Sequence, residues 1–158
     1  MGSFSKQFLD ASKAARRAAR FTLRDPGSAF LMLRMGAWVA TLTLLMKLAP
    51  LPRVMQLITP LRRRTPRPAR PGEVSAELAR LLDLLLSSDV WIFTPTCWKR
   101  APVLYRYLAL RGIETRVVFG VRKDSQGALD GHAWLEADGE PVLERAPPDY
   151  KLTFSFPS

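Results

Sequence analysis

Between Arg62 and Gly72 the chain places five arginines, three prolines and a glycine within eleven residues. Such a stretch cannot hold a helix or a strand, because each proline lacks a backbone N–H and restricts the residue before it. It reads as an exposed linker, so residues 1–72 and 73–158 are expected to form two parts. The charge divides at nearly the same place. Residues 1–70 carry 14 Lys or Arg and only the acids Asp10 and Asp25, a net +12, while residues 71–158 carry 10 against 12, a net −2.

The first part reads as helical. Lys6–Leu23 is rich in Ala, Arg and Lys and ends at Asp25-Pro26-Gly27, a second helix is expected over Ala29–Leu48, and a shorter one over Arg53–Leu61. Met35–Met46 is the most apolar stretch, yet Arg34 and Lys47 bound it. A spanning helix needs about 20 apolar residues, so a buried or interfacial helix is expected. The first twenty residues are too polar for a signal peptide. The basic part predicts an anionic partner, such as a membrane surface or an acidic peptide, while a solvated basic face is the plainer reading.

The second part alternates helix and strand. Leu78, Leu81, Leu82 and Leu85 recur at helical spacing over Ser75–Ser87. Val90-Trp91-Ile92-Phe93 is a short apolar run that Thr94-Pro95-Thr96 interrupts. A helix is expected from Cys97 to Arg111, with Ala101, Leu104, Tyr105 and Leu108 as its apolar stripe and Gly112 as its stop. A strand follows over Thr115–Val121, a polar loop over Lys123–Asp130, and two strands over His132–Leu135 and Pro141–Leu143.

Cys97 is the only cysteine and His132 the only histidine. A lone cysteine forms no internal disulfide and suits a reducing cytoplasm. One Cys and one His cannot close a zinc site, and no cofactor is implied. A thiol that opens a helix faces unpaired N–H groups and the positive end of the dipole, and both favour the thiolate. Lys99 and Arg100 add positive charge. A cysteine at a helix start with a histidine on a downstream strand is the pair that nucleophilic cysteine chemistry needs. The plain alternative is a small buried hydrophobe.

A third group should orient the imidazole. A two-residue Asp138-Gly139 turn would pair His132 with Arg145 and mix apolar and acidic residues on both faces. A three-residue loop, Ala137-Asp138-Gly139, would place Ala133, Leu135, Ala137, Pro141 and Leu143 on one face, and pair His132 with Glu144. The three-residue register is therefore expected, with Glu144 as the orienting acid and Asp130 or Glu136 as alternatives. Trp98, Trp91 and Trp134 are candidates to line a substrate cleft, or else belong to the core.

Cys97-Trp98-Lys99-Arg100-Ala101, Leu104, Leu108, Gly112-Ile113, Phe119-Gly120-Val121, Gly131-His132-Ala133-Trp134-Leu135-Glu136, Asp138-Gly139 and Glu144 together resemble the transglutaminase-like leader peptidases of lasso peptide biosynthesis. The resemblance covers about residues 75–145. It implies an α+β, papain- or transglutaminase-like core in which the cysteine helix packs on a small antiparallel sheet, here preceded by a helical N-terminal segment. It implies a Cys97-His132-acid triad, with Glu144 standing where Asp is common. Pro102, inside the nucleophile's helix, departs from the pattern. The implied substrate is a ribosomally made precursor peptide, and the implied partners are a separate leader-recognition protein and a cyclase. Nucleic acid is not expected. The expected location is the cytoplasm, with membrane association through the basic helices. Two other readings are a transamidase of the same fold and a non-catalytic scaffold that binds a membrane or a partner.

Overall fold

The computed structural model describes residues 26–61, 66, 68–87, 96–123, 125, 127–144 and 148–157. The helix expected over Lys6–Leu23, the Val90–Phe93 run with Trp91, Arg145 and most of the arginine cluster lie outside the described residues. Four helices are described: α1 (Pro26–Leu48), α2 (Leu51–Ile58), α3 (Pro71–Leu86) and α4 (Cys97–Leu110). Four strands follow, β1 (Arg116–Lys123), β2 (Leu129–Ala137), β3 (Glu140–Val142) and β4 (Lys151–Phe156), and form an antiparallel sheet in the order β3-β2-β1-β4. The architecture is the expected α+β one.

α3 begins at Pro71 and not at Ser75. A proline at the first helical position lacks only an N–H that has no intrahelical partner anyway, and its fixed φ suits the helix. Leu78, Leu81, Leu82 and Leu86 form the buried side of α3. On α4 the expected stripe of Ala101, Leu104, Tyr105 and Leu108 is buried. Pro102 sits inside α4 without ending it, because a proline this near the N-terminus costs only one interior hydrogen bond, that to the Trp98 carbonyl.

The core is continuous across both halves of the sequence. Met35, Val39 and Leu42 of α1 and Val54, Met55 and Ile58 of α2 belong to the same cluster as Leu81, Leu104, Leu108, Val117, Ala133 and Leu135. α4 therefore lies between the sheet and the N-terminal helices. This packing fixes the start of α4 relative to β2.

The β2–β3 hairpin corrects the expected register. Ala137 pairs with Glu140, Glu136 with Pro141 and Leu135 with Val142, so the loop has two residues. Asp138 and Gly139 have φ of 52° and 85°. Positive φ at both central residues is the type I′ turn, whose twist matches that of the strands, and Asp-Gly is among its preferred pairs. The mixed faces that argued against this register cost little, because the ladder lasts only three pairs. At Leu143 the chain takes φ 63° and leaves the sheet.

β4 was not expected from the sequence. It pairs with β1, Phe119 opposite Phe154 and Gly120 opposite Leu152, with a register shift between them. The residues just before it bring Tyr150 over the face of the sheet that carries His132.

Candidate active site

Cys97 is the first residue of α4. Thr96 precedes it in extended conformation, and its carbonyl accepts from the N–H groups of Lys99 and Arg100, each at 3.1 Å. The N–H groups of Cys97 and Trp98 therefore come before the first bonds of the helix, where backbone donors face outward. The Cys97 thiol donates to the Gly131 carbonyl at 3.8 Å, which ties the start of α4 to the strand that carries His132.

A cavity of about 620 Å³ opens at this junction. Cys97, His132 and Glu144 line it, together with Thr96, Arg100 and Asp83. The structure thus gathers the expected nucleophile, base and acid around one cavity. Glu144 Oε2 lies 3.4 Å from His132 Nε2, at the long end of hydrogen-bond distance. Although β3 pairs in another register, the left-handed turn at Leu143 brings Glu144 back toward the ring. With Nε2 facing Glu144, Nδ1 is the second nitrogen of the imidazole.

The two alternative acids are engaged elsewhere. Asp130 accepts from the Tyr150 hydroxyl at 2.8 Å and from Arg122 Nε at 3.1 Å. Those bonds, the Tyr150 one first, hold its carboxyl below the usual carboxylate range. Glu136 accepts from the Trp134 indole at 2.9 Å and from Arg116 Nε at 2.7 Å.

Aromatic packing holds the histidine ring. Trp134 stacks on it with centroids 5.9 Å apart and planes 15° apart, and Tyr150 covers it at 5.2 Å and 30°. Trp134 is buried behind His132 and is not among the residues that line the cavity. Trp98 is half-buried and does not line it either. Its ring lies 5.1 Å beneath the ammonium of the buried Lys99. Gly120, opposite His132 on β1, makes room for this stack, since a Cβ there would meet Tyr150 Cβ at 2.8 Å and Trp134 Cη2 at 2.9 Å.

Arg100 is the cation of the site. Its Nε and Nη2 donate to Asp83 at 2.7 and 3.1 Å, and its Nη1 lies 3.8 Å from Glu144 Oε1. Burial works against its charge, but Asp83 and then Glu144 more than offset this and raise its pKa. Sequence reasoning missed Asp83 and Tyr150, and quoted Gly120 only within the Phe119-Gly120-Val121 resemblance. A signal existed for Tyr150, because Leu152, Phe154 and Phe156 alternate behind it as a strand does. None existed for Asp83, which reads as one acid on the polar side of a helix.

No curated protein and no solved structure gives a significant match. The family described as the transglutaminase-like superfamily matches residues 38–155. That span takes in α2, α3, α4 and β1 to β3 whole, most of β4, and the C-terminal part of α1 from Trp38 on. With three quarters of its length and the whole Cys97–His132 junction inside the match, the chain belongs to the transglutaminase-like superfamily.

Proposed function

We propose that the chain is a cysteine peptidase that removes the leader from a ribosomally made precursor peptide during lasso peptide maturation. The superfamily includes cysteine peptidases and transglutaminases, so thioester chemistry at a cysteine is the common ground. The observation that carries the reading is the shared cavity: Cys97 at a helix start, His132 on the adjacent strand, and Glu144 at 3.4 Å from its Nε2. The finer assignment to leader removal rests on the motifs around Cys97, Gly131-His132 and Glu144.

In this mechanism Nδ1 of His132 takes the proton from the Cys97 thiol, and the thiolate attacks the scissile carbonyl. The N–H groups of Cys97 and Trp98 stabilise the oxyanion. Collapse breaks the C–N bond, and the imidazolium gives its proton to the leaving amine. Water, deprotonated by His132, then hydrolyses the thioester and restores the thiol. Glu144 holds the ring and stabilises its charged form. An amine acceptor in place of water would give transamidation, which product mass distinguishes. The leader would be presented by a separate recognition protein.

The test is cleavage of a lasso precursor peptide, with and without a leader-recognition protein of that class. Wild type should release the leader at one bond, and Cys97→Ala should not, while keeping its circular dichroism spectrum. Full cleavage by folded Cys97→Ala would overturn the cysteine peptidase reading. A wild-type thiol that labels selectively but leaves the precursor intact would overturn only the choice of substrate.

A further inference from the structure

α1 is apolar on two opposite sides. Met32, Met35, Val39 and Leu42 are buried against the rest of the domain. Phe30, Leu33, Ala37, Leu44 and Leu48 are exposed, the leucines to 71%, 58% and 73%. At about 100° per residue these exposed positions and the half-buried Ala40 fall within an arc of roughly 80°, opposite the buried side. Lys47 borders that arc on one flank and Arg34 on the other, with the Arg34 guanidinium 5.8 Å from the Phe30 ring. Beside the stripe runs an apolar trough of about 450 Å³, lined by Met32, Leu33, Gly36, Ala37, Ala40 and Leu85.

The polar groups on this side are already satisfied. The hydroxyl of the exposed Thr41 donates to the Ala37 carbonyl at 2.8 Å, and that of Thr43 to Val39 at 2.8 Å, so both turn back onto the helix. The charge of the surrounding sequence has one sign. Between Asp25 and Glu73 the sequence contains eight Lys or Arg and no acid, with Arg62-Arg63-Arg64 directly after Leu61. A stripe that offers hydrocarbon and satisfied hydroxyls, bordered by cations alone, matches the boundary between acyl chains and anionic headgroups. A second copy of the chain would instead bring like charges together.

We propose that α1 docks the protein on the surface of an anionic lipid bilayer, with Phe30, Leu33, Leu44 and Leu48 entering the acyl boundary. α1 is long and apolar enough to cross a membrane by length and composition alone. Its other side is packed against α3 and α4, so it lies along the surface with the catalytic domain attached. Arg34 and Lys47 reach from the edges of the stripe to the headgroups.

Flotation of the full chain with vesicles tests this, using phosphatidylcholine alone and phosphatidylcholine with about one third phosphatidylglycerol. Partition into the anionic vesicles at low salt should exceed that into the neutral ones by at least about tenfold and fall as salt rises. Leu33→Ser with Leu44→Ser removes apolar area at exposed positions, so the fold should survive, and binding should drop by about tenfold or more. Arg62, Arg63 and Arg64 changed together to Gln should cost about a hundredfold. Unchanged binding of the folded double Ser variant would overturn the proposal. So would absence of binding to anionic vesicles at low salt, including the case in which the same side captures an acidic protein or a second copy.

Discussion

Arg100 stands 3.8 Å from Glu144 and holds Asp83 with its other two donors, so the acid that meets His132 is itself held from α3 through α4. Asp83 and Arg100 are half or more shielded from solvent as a pair, and Glu144 is only 20% exposed. The chain Asp83–Arg100–Glu144–His132 makes Arg100 a positioning residue for the imidazole.

Arg100→Gln should therefore lower kcat by about tenfold and leave KM nearly unchanged, since ring orientation acts on the chemical step. Arg100→Lys should recover part of the loss through its charge alone, because it cannot reproduce the two-pronged grip on Asp83. Steady-state cleavage kinetics, with alkylation of Cys97 as a substrate-free measure, would check this. A rise in KM with unchanged kcat would mean that Arg100 binds substrate instead.

Glu144→Gln keeps the shape of the acid but removes its charge. Turnover should fall by about 10²-fold or more, while Cys97 stays open to alkylation, because the change leaves the thiol and its place at the start of α4 untouched. Glu144→Asp shortens the side chain by one methylene, and partial activity is expected. Equal activity of wild type and Glu144→Gln would remove Glu144 from the mechanism.

Gly120→Ala should damage both stability and turnover. Its Cβ would press on Tyr150 and Trp134 at 2.8 and 2.9 Å, and neither a Cβ nor a buried indole can yield cheaply. Overpacking of this kind costs about 1–3 kcal/mol, or several degrees of Tm in a chain of this size. Thermal melts, with the ring signals of His132 followed by NMR, would show whether the stack has moved.

Tyr150→Phe keeps the ring over His132 but loses the hydroxyl that Asp130 accepts. The folded-state pKa of Asp130 is depressed and that of Tyr150 raised, each first through this bond. A depressed carboxyl stabilises the fold above its unfolded pKa, near 4, and loses that as pH falls through its folded value. A raised phenol contributes below its unfolded pKa, near 10, and loses that at higher pH. Wild type should thus exceed Tyr150→Phe in stability from about pH 4 to pH 10, with the gap closing on both sides. Urea denaturation at pH 3, 7 and 11 would measure it, each value chosen about one unit or more outside or inside those limits.

On the proposed function, precursor cleavage should stop with Cys97→Ala and survive Leu33→Ser with Leu44→Ser when assayed in solution without lipid. Neither Leu33 nor Leu44 lines the cavity that holds Cys97, His132 and Glu144. Cleavage assays in detergent-free buffer would check the separation.

What the residues determined by themselves was local. Helical spacing of leucines marked α3, Ala101, Leu104 and Leu108 marked the buried stripe of α4, and a break before Cys97 put the lone thiol at a helix start. These follow from propensity and period, which depend on neighbours a few residues away. Tertiary structure decided how distant pieces meet. It chose the two-residue turn at Asp138-Gly139, because that loop's twist suits the strands and only three pairs had to match. It returned Glu144 to His132 through the left-handed Leu143, where strand alternation would have sent it to the other face. It laid Tyr150 on the histidine and joined Asp83 to Arg100 across 17 residues. Such contacts win by packing and charge in three dimensions, and no sequence period encodes them.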